Sequence, residues 1–478
     1  MDNLIKNKKK KRRFNHLHFV GIGGVGMSGI AEVLLKQGYL ISGSDSAASA
    51  NTERLQRLGA TIFIGHTAQN VAGADVVVVS SAVNDTNAEV QCAKANRIPI
   101  VPRALMLAEL MRFHYGIAIA GTHGKTTTTS LLADLLTRAD LDPTFVIGGK
   151  LNVLGSNAYL GKSEYFVAEA DESDASFLHL QPMACIVTNI DRDHLPTYGN
   201  DFNRLCQIFV EFIHNLPFDG YAVMCLDDAN IQALLPTISR RVITYGFSPD
   251  SDYCISEFKQ TGLRTQFIVT APNKMTYEIQ LNLPGRHNAL NATAAMIVAL
   301  NEGVDIKTIQ LSLNEFAGIN RRFQCLGDLK LGNTVITVVD DYGHHPQEVQ
   351  ATLAAARLAW PERRIVMAYQ PHRYTRTRDT FEETVQVVSQ VDSLLLLEVY
   401  GAGETPIEGA DSRHLCRAIR QRGQVEPIYV ASVAELLEVL PTTLAEQDVL
   451  ILQGAGNIGS LAQQLVALSQ RAENGDTI

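Results

Sequence analysis

Residues 116–130 read Gly-Ile-Ala-Ile-Ala-Gly-Thr-His-Gly-Lys-Thr-Thr-Thr-Thr-Ser: an apolar strand, a glycine-punctuated turn and a helix start. Small residues at such a turn let successive backbone N–H groups converge on an anion. The lysine neutralises it, a neighbouring hydroxyl completes a magnesium shell, and the helix N-terminus adds a favourable dipole. Gly121, Thr122, His123, Gly124, Lys125, Thr126 and Thr127 are therefore read as a nucleotide-phosphate cradle. The spacing is tighter than the usual phosphate loop, whose first glycine would fall on Ile119. As a plain strand-to-helix turn, the stretch leaves its lysine and threonine run unexplained.

Two more apolar stretches end in polar groups. Tyr165-Phe-Val-Ala-Glu169 runs into Ala-Asp171-Glu172-Ser-Asp174, and Ala184 to Asn189 runs into Ile-Asp191-Arg-Asp193-His194. A carboxylate at the mouth of a parallel sheet suits magnesium, a hard cation that takes oxygen ligands. So many acids on one loop also demand a cation nearby. Three strands then deliver Lys125, Glu169 and His194 to one edge. Further on, Asp340-Asp341-Tyr342-Gly-His344-His345-Pro346 closes another strand, and Pro371-His372-Arg373-Tyr-Thr-Arg376-Thr-Arg378 follows the next. Clustered guanidinium groups suit a carboxylate or phosphate, which they bind bidentately. Asn288 and Asn291 share one face of a helix turn after Pro284-Gly285; asparagine can cap a helix or read a base, and the cap role that suits Asn288 does not explain Asn291.

The elements that must position these groups fall into three α/β units. The first opens with strand His16–Val20, the run Gly21-Ile-Gly23-Gly-Val-Gly26, a helix, and a strand ending beside Asp45, the pattern of a unit that binds a phosphorylated nucleotide. His66 and Ser81 follow later strands and are candidates for the same crevice. Short alternating segments over 252–283 predict antiparallel strands inside the second unit. The third ends with a second glycine pattern, Gly454-Ala-Gly456-Asn-Ile-Gly459. Two such patterns also admit a rival reading, a redox or sensor protein that binds NAD, which leaves Lys125 and Glu169 without a task.

Composition fits a soluble α/β enzyme and not a disordered chain, with 46% hydrophobic and 19% charged residues among 478. The net charge of −9 conceals seven Lys or Arg within residues 1–13, read as a solvated, disordered tail, not a nucleic-acid-binding arm. Seven scattered cysteines, with no C-x-x-C pair, indicate neither a disulfide framework nor a zinc site. No apolar run is long enough to span a bilayer, so a cytoplasmic protein is expected.

In order and spacing, Gly121-Thr-His-Gly-Lys-Thr-Thr, Glu169-Ala-Asp-Glu-Ser-Asp, Asp193-His194, His287-Asn-Ala-Leu-Asn291, Arg321-Arg-Phe and Asp341-Tyr-Gly-His-His-Pro resemble the Mur ligases of peptidoglycan precursor synthesis. The resemblance covers everything after the tail, and the tight phosphate loop is characteristic of that family. It implies a Rossmann-like domain for a UDP-sugar (14–112), a P-loop-type central ATPase with a small antiparallel region (113–325) and a Rossmann-like C-terminal domain for the amino acid (326–478). The implied activity is ATP-dependent and ADP-forming: L-alanine is joined to UDP-N-acetylmuramate through an acyl phosphate, with a preformed murein peptide as the alternative acceptor. By the resemblance, residues 121–127 hold the ATP phosphates, Thr126 and Glu169 ligate one Mg2+ ion and His194 a second, with Mn2+ as a substitute. Asn288 and Asn291 meet the adenine, Arg322 the phosphates and Asp341 the nucleotide. Gly21, Gly23, Gly26, Asp45, His66 and Ser81 take the UDP-sugar. Tyr342, His344, His372, Arg373 and Arg376 form the amino-acid pocket, with an Arg on its carboxylate. Lys125, Glu169, His194, His344 and Arg373 are the expected catalytic groups. Pro196 and Asn200 depart from the family pattern and imply a differently shaped loop after His194. The stretch 201–214 contains no lysine, so the modified lysine of sister ligases is not expected. Only small-molecule partners are implied, with no membrane insertion, in a monomer or weak homodimer.

Overall fold

A computed structural model describes residues 13–80, 82–151, 156–331 and 334–473; the basic tail through Arg12, and Ser81, lie outside them. The N-terminal sheet comprises β1 (His16–Val20), β2 (Leu40–Asp45), β3 (Thr61–Ile64), β4 (Val76–Val79) and β5 (Ile100–Pro102), all parallel in the order β3-β2-β1-β4-β5. Strand order reverses between β1 and β4, and the crevice at such a switch point is where open parallel sheets bind ligands. The glycine turn after β1 and Ser80 after β4 both open there.

The central sheet has ten strands: β6 (Tyr115–Ala120), β7 (Thr144–Leu151), β8 (Ser156–Tyr159), β9 (Tyr165–Glu169), β10 (Ala184–Val187), β11 (Tyr221–Cys225), β12 (Arg241–Gly246), β13 (Tyr253–Thr261), β14 (Arg264–Thr270) and β15 (Thr276–Leu281). They run β15-β14-β13-β12-β11-β10-β6-β9-β7-β8, and β13 to β15 form the antiparallel extension expected from their alternation. Strand β6 lies centrally between β10 and β9, and its residues Gly116–Ala120 are buried, as a strand covered on both faces requires. The helix that follows it, Lys125–Arg138, is buried from Thr126 to Leu136 and packs against helix Arg286–Asn301, which also lies on β11 and β12. That second helix carries Ala at 289, 292, 294, 295 and 299, all fully buried, and small side chains let it approach its neighbours closely.

The C-terminal sheet contains β16 (Gln324–Leu331), β17 (Thr334–Asp341), β18 (Ile365–Tyr369), β19 (Ser393–Leu397), β20 (Pro427–Val430) and β21 (Val449–Gln453), in the order β16-β17-β21-β18-β19-β20. All pairs are parallel except the edge hairpin β16–β17. One apolar cluster runs without a break from the N-terminal sheet through the central one, from Leu17 to Ile319. The C-terminal sheet has its own two clusters. Polar pairs described below, Arg376 with Asp193 and His123 with Glu348, cross from it to the central domain, and Leu263 of the central domain packs against one of its clusters.

The second glycine pattern is accounted for by packing. A Cβ at Gly454 would stand 2.6 Å from the Gln370 carbonyl oxygen, and one at Gly459 would stand 2.3 Å from the Arg321 guanidinium. Arg321 bridges Asp340 and the Gly454 carbonyl, tying the turn after β21 to the end of β17.

Candidate active site

Strand β6 ends at Ala120, and the backbone then enters conformations that only glycine adopts freely: φ is +123° at Gly121 and +83° at Gly124. Space is equally restrictive, since a Cβ at Gly121 would meet Thr188 Oγ1 at 2.1 Å and one at Gly124 would meet Asn291 Oδ1 at 2.6 Å. The loop is held from behind by the segment that follows β10: Thr188 Oγ1 donates to the His123 carbonyl at 2.6 Å, Asn189 Oδ1 accepts from His123 N at 2.8 Å, and Asp191 N donates to Thr122 Oγ1 at 2.9 Å. Lys125 Nζ donates to the carbonyls of Gly121 (2.6 Å) and Thr122 (3.1 Å) and to both Glu172 oxygens (2.9 and 2.7 Å). Burial alone would depress the lysine, but Glu172 and Asp171 outweigh it, so its pKa is raised and it stays charged.

Across the loop, Glu169 at the end of β9 accepts from Gly148 N at 2.7 Å. Burial pushes its carboxyl up even though Gly148 N–H, Lys125 and Arg322 pull the other way. Asp171 lies beside Arg103 at 3.3 Å. The cations demanded by the acidic loop are thus Lys125 and Arg103, with Arg322 reaching Thr126 Oγ1 at 3.3 Å. His194 has a left-handed backbone, φ +56°; burial, opposed by Asp193, lowers its pKa and leaves a neutral imidazole at pH 7. Neighbouring Asp193 is held by Arg376, whose Nη2 lies 3.1 Å from each carboxylate oxygen. Burial would raise that carboxyl, but Arg376 and then His194 hold it well below the usual range. Pro196 occupies the first turn of a short 3-10 helix, where its missing N–H costs nothing, and Asn200 takes φ +61°, the left-handed conformation a glycine would supply.

The C-terminal domain presents a second cluster to the same cleft. His344 Nδ1 lies 3.2 Å from the Tyr342 carbonyl, its ring 5.3 Å from that of His372, which stacks on Tyr400. Burial takes His344 down to about 3, with Glu348 opposing and Arg376 and His372 assisting; burial, then Arg376 and Arg373, takes His372 to about 4. Both are neutral at physiological pH. Arg373 holds φ +70° with its N–H on the Tyr400 carbonyl at 2.8 Å. Such strain is stored where a side chain must be aimed. Tyr342 carries Arg321 and Arg322 over its ring at 5.1 and 5.2 Å.

One cleft of about 1030 Å³ brings together Thr122 to Thr126, Glu169, His194, Arg322, Tyr342, His344, His372, Arg373 and Arg376, and reaches Gly26 in the N-terminal domain. An adjoining cavity of about 250 Å³ receives Thr127, Asn288, Asn291 and Asp341. Asn288 is not the helix cap: Gly285, φ +96°, stands there, and Asn288 donates back to the Pro284 carbonyl at 2.7 Å while accepting from Asn291 at 3.2 Å. Asp341 accepts from Phe323 N, Gly343 N and Gln453 Nε2 at 2.7 to 2.8 Å and braces the walls of this cavity. In the N-terminal domain, Asp45 accepts from Gly23 N at 2.8 Å and Gly21 opens the same turn with φ +81°. His66 turns instead to Ser44 (2.9 Å) and Glu89 (3.4 Å), a buried polar knot behind the strand ends. Ser81 lies outside the described residues. Sequence reading passes over Arg103, Thr188 and Glu348, and it names Glu172, Asp191 and Asp193 within their acidic runs without giving them individual roles. Arg103, whose Nη1 would lie 3.0 Å from a Cβ at Gly26, joins the N-terminal turn to the acidic loop.

A triphosphate with a divalent cation fits these residues. The loop amides and Lys125 suit phosphate, Thr126 and Glu169 offer oxygen donors beside it, and the raised pKa of half-buried Glu169 marks a carboxylate that a cation would relieve.

His123 ties the loop to the C-terminal domain, with Nε2 at 3.0 Å from Asp191 and Nδ1 at 3.4 Å from Glu348. Burial opposes its charge, but these two carboxylates lift it from 6.5 to about 9. A raised folded pKa contributes stability that is fully present below pH 6.5 and lost as pH climbs through about 9. The expected loss is about 2–3 kcal/mol, seen as a lower urea midpoint at pH 9.5 than at pH 6 in EDTA, and much smaller in His123→Gln.

Three family models match the chain: "Mur ligase family, catalytic domain" at residues 16–115, "Mur ligase middle domain" at 119–299 and "Mur ligase, glutamate ligase domain" at 321–456. Among solved structures, the chain is similar to the UDP-N-acetylmuramate-alanine ligase of Thermotoga maritima, with TM-score 0.82 and 29% identity over 96% of this chain and 99% of that one. It is also similar to a murein peptide ligase from Psychrobacter arcticus, with TM-score 0.70 and 24% identity over 95% and 98% of the two chains. A MurF ligase from Thermotoga maritima in complex with ADP shares the fold at TM-score 0.61 and 16% identity, over 92% and 96%.

Proposed function

Because this chain belongs to the Mur ligase family, we propose that it joins L-alanine to the lactyl carboxylate of UDP-N-acetylmuramate, with ATP converted to ADP and phosphate. The observation that carries this reading is the single cleft in which Lys125 and Glu169 of the central domain face His344, Arg373 and Arg376 of the C-terminal domain and Gly26 and Arg103 of the N-terminal one. The alanine ligase at 29% identity supports the choice of amino acid. We further propose the limits 14–112, 113–325 and 326–478 for the three substrate-binding domains, and a monomer or weak homodimer working in the cytoplasm. Among the described residues no helix is long and apolar enough to cross a membrane.

A carboxylate is a poor electrophile, and phosphorylation makes it an acyl phosphate. The lactyl oxygen attacks the γ-phosphoryl while Lys125 and the loop amides neutralise charge on its oxygens, work that is mostly positioning and electrostatics. Thr126 and Glu169, with His194 alongside, would hold Mg2+, which supplies further charge neutralisation. The deprotonated amine of alanine then attacks the acyl carbon and phosphate departs. Holding both reactants can supply roughly 7–11 kcal/mol of the barrier. With a pKa of about 3, His344 is too weak a base to take the amine's proton and instead orients it. The adenine falls to the cavity around Asn288 and Asn291, with Arg322 on the phosphates and Asp341 bracing.

A second cleft of about 1390 Å³ opens on the outer side of Arg373 and Arg376, bordered by Gln350, Glu383 and Glu404. It has room for a peptide, which favours the murein-peptide acceptor as the second reading. Phosphate release in the presence of ATP, Mg2+ and UDP-N-acetylmuramate separates the two. Release stimulated by L-alanine and not by the tripeptide is expected. The reverse preference would install the second reading, and NAD binding without any release would overturn both.

A further inference from the structure

Beside the phosphate loop, three groups from two domains converge without a task in the reaction above. His123, Asp191 and His345 each offer a ligand atom, and the three atoms lie within 4.8 Å of one another. His123 Nε2 is 3.0 Å and His345 Nδ1 3.6 Å from the same oxygen, Asp191 Oδ2. The two imidazole rings lie 4.9 Å apart. A cation bound at about 2.0–2.1 Å in tetrahedral geometry separates its ligand atoms by about 3.3 Å, so little movement is needed to enclose one.

Two independent features point to a ligand here. The His345 side chain is only 7% exposed, and neither of its ring nitrogens has a hydrogen-bond partner. An imidazole buried in that state pays desolvation without compensation, and a bond to a cation would supply it. The surroundings are also arranged as around a metal-bound histidine. Glu348 Oε1 stands 3.4 Å from His123 Nδ1, where it keeps that nitrogen's proton in place when an ion displaces to solvent the proton that Nε2 shares with Asp191. Asp191 Oδ1 is occupied by Arg192 N at 2.7 Å, leaving Oδ2 for the centre of the cluster.

We propose that His123 Nε2, Asp191 Oδ2 and His345 Nδ1 form a site for a divalent transition-metal ion of the Zn2+ or Co2+ class, separate from the magnesium ligands and joining the central domain to the C-terminal one. Two nitrogens and one carboxylate select borderline metals over Mg2+, which prefers an all-oxygen shell. The site rests on these side chains and is independent of which acceptor the enzyme uses.

Co2+ titration of the full-length, EDTA-treated protein in saturating Mg2+ tests this through the visible absorption of the bound ion. One equivalent per chain is expected, with the intensity of a four- or five-coordinate centre. His345→Gln and Asp191→Asn should each abolish the band, and Glu348→Gln should weaken binding about 10–100-fold. His194→Gln should leave the band intact. Circular dichroism of each variant establishes that it is folded, and either cluster variant alone suffices for the test. A band that survives both cluster variants, one that disappears with His194→Gln, or no binding at all would overturn the site.

Discussion

Lys125→Met is expected to lower phosphate release dependent on UDP-N-acetylmuramate and L-alanine by about 10²–10³-fold or more, the cost of removing a preorganised charge from the transferring phosphoryl group. The same substitution disturbs the fold, because Glu172 is only 2% exposed and both its oxygens bond to Lys125 Nζ. Breaking a buried pair from one side costs about 3–5 kcal/mol, which would confuse an activity measurement with unfolding. A second variant separates the two. In Lys125→Met/Glu172→Gln the buried charge disappears with its partner, so most of the lost stability should return in urea denaturation while phosphate release stays at the level of the single variant. Recovery of activity along with stability would show that the lysine only anchors the acidic loop.

The phosphate loop was readable because its constraints are local. Gly121 and Gly124 adopt positive φ within the turn itself, Thr126 follows Lys125 into the helix, and β6 is apolar because both its faces are covered. The antiparallel extension was readable for a similar reason, since alternation along 252–283 records one covered face and one open one. Partners distant in sequence left no such trace. Glu348 reads as an ordinary residue on the first turn of an amphipathic helix; only the packing of Pro346–Ala359 against the loop carries it to His123, 225 positions away in the chain by their numbers. His66 sits after a strand where a ligand residue would sit, yet Ser44 and Glu89 claim its ring. Asn288 looked like a cap because asparagine caps well, but a glycine with φ +96° had already taken the position. The order of ten strands in the central sheet is likewise a product of crossovers that no single segment encodes.

The two arginines of the amino-acid pocket should have opposite effects when removed. Arg376 is committed, its guanidinium paired with Asp193 where the side chains are 9% and 14% exposed. That pair spans the two domains, so Arg376→Ala leaves a buried aspartate uncompensated and is expected to cost about 2–5 kcal/mol of stability. A cycle with Asp193→Asn should return a coupling of about 1–3 kcal/mol in thermal or urea unfolding. Arg373 is exposed in the cleft and ion-pairs with no carboxylate among the described residues, while its strained backbone aims it inward. It is the guanidinium available for the carboxylate of L-alanine. Losing a charged hydrogen bond of about 1.5–3 kcal/mol predicts a KM for L-alanine raised about 10–100-fold in Arg373→Ala, with unfolding unchanged. Steady-state kinetics and denaturation on both variants decide the assignment. A raised KM with full stability in Arg376→Ala would transfer the carboxylate to Arg376, and the pair with Asp193 would then be the contact that alanine displaces on binding.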